Sequence, residues 1–234
     1  MKTDYRDGLA VLFYVLCATG SGLLLSQSYP GLQSLLGDLS PIAAAGGFLS
    51  LYGILSAIYL VLFRRFFPLQ PGYYDMSVPV FTLWKHQTMI AAPARSALRL
   101  FFPMILTPQF YRLFGARISS NVTISGDLAD PDMVTIGSGT IVGRGALILG
   151  HMMMYNRFII KPVEINERAT IGANAVIGPG TVIGRDAVVM AGAVVPPDTT
   201  ISAGEVWGGI PAKPVRSAQD RLRAQKTSLE RRSA

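Results

Sequence analysis

The chain has 234 residues, 50% hydrophobic and only 15% charged, with a net charge of +7. A soluble globular domain carries about 25% charged residues, so this balance excludes a disordered chain and speaks against an ordinary soluble domain. One cysteine excludes an internal disulfide framework and a Cys-based zinc site, and two histidines exclude a His-rich metal site within one chain.

The charge is unevenly placed: −1 over residues 1–63, +6 over 64–117, −1 over 118–216 and +3 over 217–234. Two uncharged apolar runs open the chain, 9–25 (LAVLFYVLCATGSGLLL) and 42–63 (IAAAGGFLSLYGILSAIYLVLF). Each is near the roughly 20 residues a helix needs to cross the hydrocarbon core. A cleaved signal peptide would explain the first run, but Asp4 and Asp7 dilute its basic flank and a second long run follows. Two transmembrane helices over residues 1–65 are expected. Lys2, Arg6, Arg64 and Arg65 lie outside this hairpin, whereas the connecting residues 26–41 carry Asp38 and no Lys or Arg. The positive-inside rule then puts both ends, and everything after residue 64, on the cytoplasmic face of the cell membrane.

Residues 66–117 are both basic and apolar, which points to a membrane surface and its lipids rather than to nucleic acid. In PARSALRLFFPMIL, Arg95 and Arg99 share one helical face, while Leu98, Phe101, Phe102 and Ile105 can share another. An amphipathic interfacial connector is expected, with a core helix as the alternative. His86, beside Trp84 and Lys85, reads as an interfacial residue rather than a base.

The second half repeats every six residues. Ile165, Ile171, Ile177, Ile183, Val189, Val195 and Ile201 recur in phase, and two positions before each stands Val163, Ala169, Ala175, Thr181, Ala187, Ala193 or Thr199. An earlier run, Ile118, Ile124, Ile136, Val142 and Ile148, keeps the spacing but skips one slot, at Asp130. A period of six fits neither a helix nor a meander; it fits a solenoid in which each hexad makes one short strand and one corner. The fold expected over residues 118–216 is mainly β, a parallel β-helix, followed by a basic tail over 217–234. The phase slips between Ile148 and Ile165, where GHMMMYNRFIIKP reads as a loop thrown out from the coil. Loops on repeat scaffolds often carry function.

IGANAVIGPGTVIGRDAVVMAGAVV, with the following GGIPAKPVR, resembles the hexapeptide-repeat acyltransferases. The order LFGARI, DPDMVTIG, His-containing loop, long repeat is also similar to terminal membrane domains of some nonribosomal peptide synthetases. The first resemblance covers residues 118–216 and implies a left-handed β-helix, a homotrimer with active sites between neighbouring subunits, and acyl transfer without a permanent cofactor. The co-substrate would be acyl-CoA, commonly acetyl-CoA, or an acyl carrier protein.

His151 is the candidate general base, being the one His of the repeat region. Its unperturbed pKa suits removal of a proton from an alcohol or ammonium near neutral pH. A base of this kind needs an orienting partner; Asp127, Asp130, Asp132, Glu164 and a backbone carbonyl all qualify. Positions matching the family's CoA site are Lys213 and Arg216 for the phosphates, Gly192, Ala193, Gly208 and Gly209 for close backbone access, and Trp207 for stacking on adenine. Met152, Met153, Met154 and Tyr155 would form either an apolar wall beside the base or a packing surface. Some proteins of the resembled family bind zinc through three histidines, a set that the one His of the repeat region cannot supply, so no metal is expected. The expected activity is transfer of an acyl group to a hydroxyl or amine of a membrane-associated or cytoplasmic-face acceptor. The alternative is a non-catalytic trimeric scaffold anchored in the membrane.

Overall fold

A computed structural model describes residues 5–216, apart from the side chains of residues 5–7, 9, 10 and 216. The expected basic tail, 217–234, lies outside the described residues, as does Lys2. The chain divides into two units: residues 1–70 with 77–103, and residues 71–76 with 104–234.

The first unit is helical. Helix α1 spans Tyr5–Leu36 and α2 spans Ser40–Phe66, separated only by a single 3-10 turn, Gly37–Leu39. The connecting loop expected over residues 26–41 is therefore almost entirely helix. By length and composition the stretch Val11–Phe66 is long and apolar enough to cross a membrane, and it is one nearly continuous helical stretch rather than two helices parted by a loop. The two arms pack on each other: the rings of Phe13 and Tyr59 lie 4.0 Å apart, and a Cβ at Gly47 would stand 3.1 Å from the Leu25 side chain. Small residues at such crossings let helix backbones approach. Arg64 and Arg65 close α2, where cations complement the helix C-terminus.

Residues 72–75 and 79–99 then form strand β1 (Gly72–Asp75) and helix α3 (Pro79–Arg99). Helix α3 buries Ile90, Ala91, Ala94, Ala97 and Leu98 within the first unit. His86 is buried at 4% exposure and bonds the Tyr59 hydroxyl through Nε2 at 2.9 Å, so it is a core residue and not an interfacial one. Because α3 stops at Arg99, Phe101, Phe102 and Ile105 do not continue its face.

The second unit contains β1, helix α4 (Thr107–Leu113) and the repeats. Its next strands are β2 (Arg117–Ile118), β3 (Thr123–Ile124), β4 (Asp127–Leu128), β5 (Val134–Ile136), β6 (Ile141–Val142) and β7 (Leu147–Ile148). The interruption supplies β8 (His151–Met154) and β9 (Arg157–Ile160). The coil resumes with β10 (Val163–Ile165), β11 (Thr170–Ile171), β12 (Val176–Ile177), β13 (Val182–Ile183), β14 (Val188–Val189), β15 (Val194–Val195), β16 (Thr200–Ile201) and β17 (Val206–Gly208), closed by β18 (Lys213–Arg216).

Three parallel sheets result, ordered β16-β13-β10-β5-β2, β17-β14-β11-β6-β3 and β15-β12-β7-β4. Successive strands fall on successive faces, so each coil takes three hexads and stacks in register on the last: Ile171 pairs Val142 below and Val189 above. The in-phase aliphatic residues point inward, with Ile136, Val142, Ile148, Ile177, Ile183 and Val189 fully buried. Burying an aliphatic side chain of this size contributes about 1.5–3 kcal/mol. The small residues two places earlier, Ala169, Ala175, Ala187 and Ala193, are also fully buried.

The stretch expected as a loop is an ordered hairpin of β8 and β9. Strand β1 adds to its edge, giving the antiparallel sheet β1-β9-β8 with Gly72 opposite Ile160 and Asp75 opposite Arg157.

Candidate active site

The site forms where the hairpin leaves the coil. Strands β4 and β7 are neighbours on one face, so the residues that follow them, Asp130 and Gly150, meet on adjacent coils. Asp130 occupies the skipped slot of the six-residue pattern and is 6% exposed. Its Oδ2 lies 2.6 Å from His151 Nδ1 and accepts the Gly150 backbone N–H at 3.1 Å. A Cβ at Gly150 would stand 2.6 Å from Met133 Cβ and 3.0 Å from Asp130 Cβ, so glycine is what permits this close approach.

A carboxylate only accepts hydrogen bonds, so Nδ1 carries the proton it donates to Asp130 and the lone pair falls on Nε2. The His151 side chain remains 21% accessible. Of the four carboxylates open to it from the sequence, the fold brings Asp130 to the histidine. Asp127 instead accepts from the Tyr111 hydroxyl at 3.1 Å.

The hairpin sheet has two faces, because side chains alternate along a strand. The register puts His151 and Ile160 on one face with Phe158 and Met153, and the rings of His151 and Phe158 lie 6.3 Å apart. Met152 and Met154 fall on the opposite face with Tyr73, Ile159, Asp75 and Arg157. That face borders an open pocket of about 430 Å³, also lined by Tyr155 and Asn156. Of the four residues considered as a wall beside the base, only Met153 shares the face of His151.

The hairpin's base is closed by Lys161, whose backbone N–H donates to the Gly150 carbonyl at 2.9 Å. The Lys161 ammonium donates to Asp198 Oδ1 at 2.8 Å and lies 4.2 Å from the centre of the Tyr73 ring. The Tyr73 hydroxyl donates to Asp198 Oδ2. The hydrogen bond to Asp198 raises the pKa of both Lys161 and Tyr73. For Asp198, desolvation pulls upward, but the bonds from Lys161 and Tyr73 together prevail and hold the carboxyl below its usual range. Gly180, at φ +76°, sits under this group, and a Cβ there would run into the Asp198 carboxylate and stand 3.0 Å from Lys161 Cδ. Sequence reading missed this cluster, whose members come from three distant segments.

The expected CoA positions lie on the last two coils. Gly209 accepts from Val194 N–H at 3.0 Å, and Lys213 is exposed on β18 opposite Gly208. Trp207 is half-buried, and its Nε1 donates to Glu205 Oε2 at 2.9 Å. Gly208 is buried against Met190. Gly192 is exposed, with its N–H donated to Ala173 at 2.8 Å. The Ala193 side chain is fully buried, its N–H donates to the Met190 carbonyl at 3.2 Å and its carbonyl accepts from Val176 N–H at 2.8 Å. The Arg216 side chain lies outside the described residues. His151 follows β7, two strands from β15 on the same face, so about 10 Å of coil rise separates the base from this cluster. Among the described residues no group of three His, Cys, Asp or Glu side chains is placed to hold a metal.

Three stacked parallel faces, with hexads unbroken from Ile165 to Ile201, make this a coil of hexapeptide repeats. The family model described as "Hexapeptide repeat of succinyl-transferase" matches residues 162–197, within the coil. Over 123 residues, 51% of this chain, it is 26% identical to delta-poly-L-ornithine synthetase of Acinetobacter baumannii (strain AB307-0294). Over 75 residues, 30% of this chain, it is 32% identical to YvoF of Bacillus subtilis (strain 168), provisionally named an acetyltransferase. The chain spans 9% and 44% of the lengths of these two curated relatives. A hexapeptide-repeat acetyltransferase of Vibrio cholerae O1 biovar eltor, solved with acetyl coenzyme A, aligns at 30% identity and a TM-score of 0.41, over 45% of this chain and 62% of its own.

Proposed function

We propose that this protein is a membrane-anchored acyltransferase that moves an acyl group, in the first instance acetyl, from acyl-CoA to a hydroxyl or amine. The observation that carries this reading is the Asp130–His151 pair, a buried carboxylate on the Nδ1 of a histidine whose side chain is about one-fifth accessible. His151 Nε2 takes the proton from the acceptor's O–H or N–H as that atom attacks the thioester carbonyl carbon. Asp130 holds the imidazole in the required tautomer and stabilises the imidazolium that forms. Backbone N–H groups stabilise the oxyanion. Collapse of the tetrahedral intermediate breaks the carbon–sulfur bond, and the imidazolium returns its proton to the CoA thiolate. No covalent enzyme intermediate is required.

The last coil would bind the donor, with Lys213 and Arg216 at the phosphates. Trp207, Gly208 and Gly209 would lie along its adenosine and pantetheine, and Gly192 would line its approach. An extended pantetheine arm suits the coil rise between that cluster and His151. The assembly would be a homotrimer, its helical arms crossing the membrane twice and its β-helix on the cytoplasmic face. A membrane-associated acceptor would then be searched for in two dimensions. The name of the Acinetobacter relative favours an amine of a peptide product among the acceptors to be screened.

One observation favours a second reading, a non-catalytic trimeric scaffold: β18 is antiparallel to β17 and caps the coil, a structural role for the segment that carries Lys213. Calorimetric titration of the detergent-purified protein with CoA and acetyl-CoA separates the two. Saturable binding, weakened about 10-fold or more in a Lys213→Ala, Arg216→Ala variant, is expected from the loss of charge-assisted bonds. No binding to either ligand by a folded oligomer would favour the scaffold or a carrier-protein donor.

A further inference from the structure

Strand β1 belongs to the unit of the hairpin that bears His151, while the helices on either side of it in sequence belong to the other unit. It therefore enters the β-helix unit alone, as a single strand added to the free edge of β9. An added strand of four residues is short, and its backbone bonds alone are a weak fastening. Its second fastening is Tyr73, whose hydroxyl reaches Asp198, a corner residue after β15. Lys161 completes the group: its ammonium bridges to the same carboxylate, and its alkylammonium lies against the Tyr73 ring.

Lys161 is also joined to the catalytic constellation through the backbone. Its N–H donates to the Gly150 carbonyl, and Gly150 N–H donates to Asp130 Oδ2, the oxygen that receives His151 Nδ1–H. Hydrogen bonds, linked covalently through the Lys161 side chain and the Gly150 backbone, thus connect Tyr73 and Asp198 to Asp130 and His151. Gly180 leaves the space in which the Lys161–Asp198 bridge lies.

We propose that Tyr73, Lys161 and Asp198 are positioning residues that fix the base of the His151 hairpin, so that β1 sets the orientation of the general base. This rests on the reading of His151 as the base, but its geometry can be tested without turnover. The full chain contains two histidines, so labelling at histidine Cε1 gives two NMR signals in detergent, and loss of one in His151→Ala assigns it. Hydrogen exchange of residues 150–161 is measured alongside, in the wild type and in Tyr73→Phe, Asp198→Asn, Lys161→Met and Lys161→Arg.

Tyr73→Phe and Asp198→Asn are expected to speed hairpin exchange at least 10-fold while β11 to β14 keep wild-type protection. The titration of His151 is expected to move toward that of Asp130→Asn. Lys161→Met should behave likewise, and Lys161→Arg should restore both readouts, since it keeps the ion pair. Unchanged hairpin exchange in the folded Tyr73→Phe and Asp198→Asn variants overturns the proposal. So does faster exchange with an unmoved His151 titration, which would make the cluster a purely structural clasp. Tyr73→Phe removes one hydroxyl, which keeps a folded variant available. An inactive wild type with an ordered, coupled hairpin would count against the function and not against this inference.

Discussion

Asp130 Oδ2 sits 2.6 Å from His151 Nδ1, although the two residues are 21 apart in sequence and lie on successive coils. The pair exists because β4 stacks beside β7, so Asp130, two residues after the inward Leu128, meets Gly150 and His151 where the hairpin leaves the next coil. Asp130→Asn retains the shape but can present an amide N–H to the ring, reversing the tautomer. Acyl transfer is expected to fall about 100- to 10,000-fold, the range of general-base contributions, with donor affinity unchanged. Steady-state kinetics together with acetyl-CoA titration check this, and His151→Ala should fall in the same range.

Gly150→Ala tests the close packing that supports this pair. Its Cβ would meet Met133 and Asp130 at overpacked distances. A loss of about 1–3 kcal/mol in stability is expected from such overpacking. Activity per folded molecule should fall as well, because the Asp130 carboxylate must shift. Chemical denaturation and kinetics on the same sample measure the two effects.

The Tyr73–Lys161–Asp198 cluster gives a pH signature. Asp198 is depressed below its ordinary 3.8, so its contribution is present above that value and is lost as pH falls through the lower folded value. Lys161 is raised above 10.5 and Tyr73 above 10.0, so their contributions are complete below those values and are lost as pH rises through the higher folded ones. The difference in thermal midpoint between wild type and Asp198→Asn should be level from about pH 5 to 9 and shrink at both ends. A difference that keeps growing below about pH 4 would contradict the sign.

Ile171→Ala removes a core side chain with stacked partners on both neighbouring coils. A loss of about 2–5 kcal/mol is expected. Denaturant titration should show the midpoint falling while His151 stays in place in molecules that remain folded.

The coil was legible because an inward residue every sixth position has no other simple explanation, and Ile165 to Ile201 hold that phase without a break. Asp130 was visible as a vacancy in the pattern, yet only the stacking of β4 beside β7 distinguishes it from Asp127 and Asp132. The six-residue phase marks Ala193 as a small position, and its side chain is fully buried in the coil. The hairpin strands have no hexad phase, and buried Phe158, Ile159 and Ile160 run consecutively, so periodicity gave no signal for them. Strand β1 has four residues and a partner far along the chain, which leaves no local trace. The length of α1 and α2 was underread because residues 26–36 are polar enough to resemble a loop while remaining helical.

The pairing of β1 with β9 also sets a timetable for synthesis. Gly72 and its partner Ile160 are separated by most of the repeat's first half and all of α3. At about 5–20 residues per second, β1 leaves the ribosome roughly 4–18 s before the strand it will join. Throughout that interval Tyr73 and Tyr74 stand on an unpaired strand while α3 and the first coils are made after it. Asp198 arrives later still, so the clasp over the hairpin is among the last contacts this chain can form as it emerges.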